Sequence, residues 1–400
     1  MCRSCALAAS SDFGADSCDV CKPRFYRPDA TAGVDQCERC SNLLGAICPW
    51  NTTLASLELE FGFWRHSQYT NESWRCIEAN GVSPCRGGAD AGVDGNGYCH
   101  EGHHGPRCEL CSNRYYFDSS SAQCKPCGDL VGKGFAVAVF VLGAFAAVGA
   151  LTAVVQRRRL PKNRALRQIV KNVHYFRKLW HAAGMQTKLK LGLGLFQCVS
   201  AAPSVFGVSV PDGGSEYGNL FDLLKKPATI GFDFILPGSC YGSYRNRLIL
   251  NALWPFVLVL MTTVGGVAWE LAHLPRAKRN ASTALVRGLQ RTLPLVLVLS
   301  FTLLPSQSTR ILRTFLCDRF RFDDRTGATK RYLQDDYSLS CDLTEYDSVV
   351  GVSIVLLMIW PVAIPALYVV LLWLVHKELL SGKSSRLSRA ISFLHIDYGT

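Results

Sequence analysis

The stretch CHEGHHGPRCELCSNRYYFDSSSAQCKPCGDLVGKGFAVAVFVLGAFAAVGALTAVVQRRR, residues 99–159, decides how the chain is built. Its first half is dense in cysteine and turn-forming residues. Its second half, 131–155, is an apolar run long enough to cross a bilayer core of about 30 Å. Three arginines, Arg157 to Arg159, close it. The chain changes character near residue 128, and everything on either side follows suit.

Upstream lie fourteen of the eighteen cysteines. Many form C-x-x-C pairs: Cys2/Cys5, Cys18/Cys21, Cys37/Cys40, Cys108/Cys111 and Cys124/Cys127. Cys48, Cys76, Cys85 and Cys99 stand between them. CDVCKPRFYRPDATAGVDQCERC (18–40) aligns with CELCSNRYYFDSSSAQCKPC (108–127), each carrying an aromatic pair between two C-x-x-C units. Small loop-rich units with few aliphatic residues cannot build a large core and need covalent cross-links. The 18–40 spacing also suits a zinc ribbon. Disulfides are favoured because the segment lies across a membrane from basic loops, in an oxidising compartment. Two sequons, Asn51-Thr-Thr and Asn71-Glu-Ser, fall on the same side. Gly102 and Gly105 sit where a tight cross-linked loop needs positive φ. His100, His103 and His104 lack paired-ligand spacing and read as loop histidines. No metal or cofactor is expected.

Downstream, four further apolar runs follow at 191–210, 248–272, 292–312 and 349–375. The 156–190 segment holds eleven Lys/Arg and no Asp or Glu, which places it inside and residues 1–130 outside. With five spans, the basic segments 156–190, 274–291 and 376–400 all fall inside. The outer loops carry four basic and four acidic residues (211–247) and six and eight (313–348). A plasma-membrane location with the N-terminal region outside is the expectation, and the sequon at Asn280 is then cytoplasmic and bare. The net charge of +12 sits beside apolar runs, so it orients spans and does not point to nucleic acid. Cys317 and Cys341 in the second outer loop can close on each other, and Cys240 can compete for either. Cys198 falls within a span and reads as a buried thiol.

Residues 164–183 form a basic amphipathic pattern. Leu166, Ile169, Val170, Val173, Phe176 and Trp180 recur at helical spacing, with Arg164, Arg167, Lys171 and Lys178 between them. Such a helix suits anionic inner-leaflet lipids or a calmodulin-like partner, the alternative being a helix that only packs beneath the bundle. Pro255, Pro361 and Pro365 lie inside apolar runs and are expected to kink their helices. No charged n-region and apolar h-region precede Cys2, so the chain reads as a piece of a longer protein, or as one whose first span is a reverse anchor.

Cys99 to Cys111 resembles the end of an EGF-like or laminin-type EGF module, and 18–40 is similar to the cysteine-rich repeat of ephrin-receptor-like ectodomains. The resemblance implies Cys99–Cys108, Cys111–Cys124 and, by the repeat, Cys21–Cys37; Cys5–Cys18 and Cys76–Cys85 are the further pairings expected. LELEFGFWRHS (57–67), LFQCVSAAPSVFGV (195–208), FILPGSC (234–240), YLQDDYSLSCDLTEY (332–346) and IWPVAIPALY (359–368) together resemble large multi-pass surface proteins of single-celled eukaryotes. Those join such repeats to a helical membrane domain that is loosely TRP-like.

The expected fold is therefore a small disulfide-rich EGF-like, Cys-rich ectodomain of short β hairpins and loops, plus an all-α multi-span transmembrane helical bundle. Its parts are an ephrin-receptor-like repeat (1–56), an EGF/laminin-like module (57–127), a transmembrane domain of about five helices (128–376) and a cytoplasmic tail (377–400). The expected function is a receptor-like or adhesive surface protein that meets a protein or glycan ligand outside. A TRP-like channel is the alternative, drawn from the polar run Ser300, Thr302, Ser306, Gln307, Ser308, Thr309. No acid or base lies deep in a span, which disfavours ion-coupled transport. No G-x-S-x-G, H-E-x-x-H, P-loop or kinase set occurs, so an enzyme is not expected.

Overall fold

The computed structural model describes residues 8–10, 18, 20–28, 37–128, 240, 242–273, 281–381 and 385–395, with scattered positions between 168 and 195. The expected spans at 131–155 and, for the most part, 191–210 lie outside the described residues. So do Cys2, Cys5, Cys198, Arg164, Arg167, Lys178 and Asn280.

The chain divides into two compact units. The first is Met1–Leu130, Pro237–Asn246 and Arg313–Gly351; the second is Val131–Leu236, Arg247–Leu312 and Val352–Thr400.

The first unit is built from hairpins of two to four residues per strand. Phe25–Arg27 pairs with Glu38–Arg39, and Tyr115–Asp118 pairs with Gln123–Pro126, in both cases just after a C-x-x-C. Strands this short are not stable alone. Disulfides supply the missing restraint, joining Cys21–Cys37, Cys40–Cys48, Cys76–Cys85, Cys99–Cys108 and Cys111–Cys124. Each removes loop-closure entropy from the unfolded chain, about 3 kcal/mol for a fifteen-residue loop. Gly105 has φ +71°, and a Cβ there would meet the Leu110 side chain at 2.6 Å, so the Cys99–Cys108 loop needs glycine on both counts.

Two longer-range elements complete this unit. β1 (Phe63–Arg65) pairs with β2 (Ser73–Arg75). A three-stranded antiparallel meander follows far downstream: β3 (Cys317–Asp323), β4 (Ala328–Leu333) and β5 (Asp336–Ser340), in that order. Residues 313–348 are therefore not a plain loop between spans, and the expected all-α domain of 128–376 is interrupted by β structure. The strand CDRFRFD alternates as a half-buried strand should, with Phe320 inside and Arg319 and Arg321 outside. Cys317–Cys341 closes the meander, and Cys127–Cys240 ties 240 to the Cys-rich region.

The second unit is helical where described. α1 (Tyr244–His273) and α2 (Ala281–Arg313) are each long and apolar enough to cross a membrane. So is the continuous helix made of α3 (Thr344–Leu357), a π-helical turn (Met358–Ala363) and α4 (Ile364–Leu380). Apolar side chains remain outside: Leu260 on α1 is 62% exposed and Trp373 on α4 is 70% exposed. A surface this apolar, on helices this long, is what lipid contact selects. α1 and α2 meet through small residues; a Cβ on Gly288 would lie 2.7 Å from Val267 Cα. Two short helices, α5 (Arg386–Ala390) and α6 (Ser392–His395), pack Ile391 and Phe393 against Leu297, Phe301, Tyr368 and Val375.

Candidate functional site

The meander docks on the Cys-rich region within the first unit, and this seam gathers most of the unit's unusual chemistry. Phe320 is fully buried at its centre. Its ring meets Trp64 edge-on at 5.5 Å, Trp74 at 5.2 Å, Tyr337 at 5.7 Å and Tyr332 at 6.0 Å. Aromatic pairs in such geometry add about 0.5–1.5 kcal/mol each beyond area burial. β1 places Trp64 and β2 places Trp74 directly across from it in register, so both indoles share the face that receives Phe320.

Polar contacts ring this core. Ser67 Oγ donates to Phe322 O at 2.7 Å, Asn71 N donates to Asp324 Oδ2 at 2.7 Å, and Arg321 N donates to Glu72 Oε2 at 2.8 Å. Lys330 Nζ reaches Asp94 Oδ1 at 2.7 Å and lies over the Phe322 ring at 4.8 Å. On another side Tyr337 Oη donates to Asp318 at 2.7 Å, and Arg107 pairs with Glu109 at 3.4 Å. Burial pushes the Glu109 carboxyl up to about 7 against the pull of Arg107.

Three groups in or beside β1 stand out. Trp64 Nε1 donates to Gly95 O at 3.0 Å. Arg65 is buried, and its guanidinium donates to Tyr98 Oη at 2.6 Å, Leu54 O at 2.8 Å and Leu57 O at 3.0 Å. His66 is 1% exposed, and neither ring nitrogen has a hydrogen-bond partner among the described residues. Asp94 lies 4.0 Å from Nδ1, beyond hydrogen-bond reach. The rings of Trp64, Phe320, Phe322 and Tyr332 enclose the imidazole. Burial holds its pKa below the usual histidine value, with Asp94 opposing and Lys330 reinforcing the shift.

The residues singled out from sequence fall in three places. Cys99/Cys108, Cys111/Cys124, Cys21/Cys37 and Cys317/Cys341 are joined as disulfides in the first unit. His103, Cys111 and Cys124 lie close enough to suggest a metal, but two of these three donors are bonded to each other and offer no thiolate. Asn51 is exposed, and Asn71 Oδ1 accepts from Arg321 at 3.4 Å. Lys171 is helical and exposed. Pro255 lies in α1, Pro361 in the π-helical turn and Pro365 at the start of α4.

Sequence reasoning missed the seam and the Cys127–Cys240 bond. The one signal for the seam was the alternation of Phe320 and Phe322 with arginines, read instead as a charged loop. Compared with protein-family models, curated proteins and solved structures, the chain matches none of them.

Proposed function

We propose that the chain is a multi-pass cell-surface membrane protein whose extracellular disulfide-rich region recognises a protein or glycan, in a receptor-like or adhesive role. The observation that carries this reading is the seam. The meander of 317–340 is fused into the Cys-rich unit by Phe320, and the same meander is flanked in sequence by the ends of α2 and α3. A ligand that shifts the seam acts directly on residues leading into two apolar helices. The likeness to surface proteins of single-celled eukaryotes, with EGF/laminin-like and ephrin-receptor-like repeats, supports the same reading. So does the absence of a recognisable catalytic motif.

Proteoliposomes carrying the full chain, probed against arrays of extracellular glycans and matrix proteins, test it. Binding that is saturable and lost on disulfide reduction is expected. Binding no greater than that of empty liposomes, together with a current across planar bilayers, would favour the TRP-like channel reading. Asn251 and Gln307, buried polar side chains on α1 and α2, are the observation in that reading's favour.

A further inference from the structure

The α5–α6 segment does not sit where a water-borne tail would. α2 carries no charge between Arg291 and Arg310, a run of eighteen residues. At 1.5 Å per residue it spans about 27 Å, close to a bilayer core. Phe301 lies at the middle of that run, ten residues past Arg291 and nine before Arg310. Phe393 packs edge-on against Phe301 with ring centroids 5.6 Å apart. Ile391 is fully buried beside it, among Leu297, Tyr368 and Val375. The chain leaves α4 just past the basic end at His376-Lys377 and comes back to the depth of Phe301 within twelve residues of Ser381.

The segment is suited to that place. Ser385 caps α5 by accepting from Ser388 N at 3.0 Å, and His395 Nε2 lies 3.2 Å from Ser388 O, so polar groups of the turn are met internally. Irregular backbone at membrane depth survives only when it is packed in protein in this way. Ser388, Ala390, Ile391 and Phe393 are buried, whereas Arg386 and Arg389, three apart on one side of the turn, are exposed.

We propose that residues 385–395 form a re-entrant wedge, and that Arg386 and Arg389 on its exposed side hold the phosphate of an anionic phospholipid. The proposal rests on the reading of α2 and α4 as membrane spans. Arg389 stands four residues before Phe393, across the break at Ile391 between the two short helices, and a long arginine side chain can snorkel toward the headgroups. A guanidinium cannot rest in hydrocarbon, and its planar fork fits phosphate oxygens. Two exposed guanidiniums three residues apart suit an anionic headgroup, Arg389 being steadied by its Nε donating to Ser385 O at 3.4 Å.

Variants of the full chain in nanodiscs, each with one introduced cysteine in a Cys198→Ser background, test the wedge with a charged maleimide that cannot enter lipid, the label being read at the introduced position by peptide mapping. Ser381→Cys is expected to label readily. Phe393→Cys and Trp373→Cys, the latter on the exposed face of α4, are expected to label at least about tenfold more slowly. Leu394→Cys, half-buried, replaces Phe393→Cys if that variant folds poorly. Labelling of 393 or 394 as fast as 381, with 373 protected, would overturn the wedge alone. Fast labelling at 373 would overturn the membrane reading and the wedge with it. For the lipid, phosphatidylglycerol co-purifying with the protein is measured by native mass spectrometry. The Arg386→Gln/Arg389→Gln variant is expected to retain about fivefold less or lower. Unchanged retention in a folded double variant would overturn the phosphate site.

Discussion

The indole Nε1 of Trp360 donates to the main-chain carbonyl of Ala252 at 3.2 Å. Ala252 lies three residues before Pro255, in the helical turn that precedes the proline. Trp360 itself belongs to the π-helical turn that contains Pro361, and its ring packs on Phe256 at 5.2 Å. Two proline-bearing helices thus meet at one point, and a side chain from one serves the backbone of the other. Pro255 lacks the N–H that would bond the carbonyl of Asn251, so the indole bond to Ala252, one residue on, does not replace that bond; it ties the two proline-bearing helices together beside it.

Trp360→Phe keeps a ring against Phe256 and removes the donor. It is expected to destabilise the folded chain by about 1–3 kcal/mol. Thermal unfolding in detergent reads this. Adding Pro255→Ala, which restores an N–H opposite the Asn251 carbonyl and leaves Ala252 O as it was, is expected to leave that loss in place. Recovery of the loss by Pro255→Ala would show that the indole acts on the proline turn and not as a bond between the two helices.

Phe320→Ala removes the ring at the centre of the seam. A buried Phe→Ala change costs about 3–5 kcal/mol. Proteolysis at the Asp324–Gly327 turn of the meander is expected to accelerate strongly, because β3 loses its hold on Trp64 and Trp74. Cleavage at the wild-type rate would mean the meander is held by its polar rim alone.

The sequence exposes what is local and hides what is distant. The disulfide-rich N-terminal region with short hairpins and the three helices described here are written in cysteine spacing and in long apolar runs. The seam is not. Phe320 sits between two arginines, and its partner Trp64 is encoded far upstream in the chain. No periodicity links the two, and the loop's balance of six basic and eight acidic residues resembles an ordinary solvated connection. Cys127–Cys240 spans 113 residues, so spacing could not select it over Cys240 with Cys317 or Cys341.

The seam is expected to respond to pH in two opposed ways. His66 has its folded-state pKa lowered by burial. Its contribution is complete above the unfolded value of about 6.5 and falls as pH drops from there toward the lower folded value. Glu109 is raised to about 7 in the folded state. Its contribution is present below the unfolded carboxyl range and is lost as pH rises toward 7. Hydrogen exchange across 317–333 between pH 5 and pH 8 separates them. His66→Phe is expected to remove the acid-side loosening, and Glu109→Gln the loosening toward neutral pH. An unchanged profile in both variants would assign the response elsewhere.

Asn51 and Asn71 are expected to carry glycans, and Asn280 to carry none, since only sidedness separates these sequons. Endoglycosidase shifts in Asn→Gln variants read this. A shift lost in Asn280→Gln alone would reverse the assignment of sides.

The account stands most directly on the Cys127–Cys240 bond. A covalent link across 113 residues puts both cysteines on one side of a membrane, so the chain between them must cross an even number of times. The two apolar runs expected from the sequence to span, 131–155 and 191–210, would satisfy that requirement with the basic 156–190 segment on the far side. Peptide mapping of the non-reduced protein, taken from intact cells after impermeant thiol labelling, measures it. The expected result is a recovered peptide pair joining Cys127 to Cys240, with no label on either. Cys240 recovered as a labelled free thiol, or joined to Cys317 or Cys341, would contradict it.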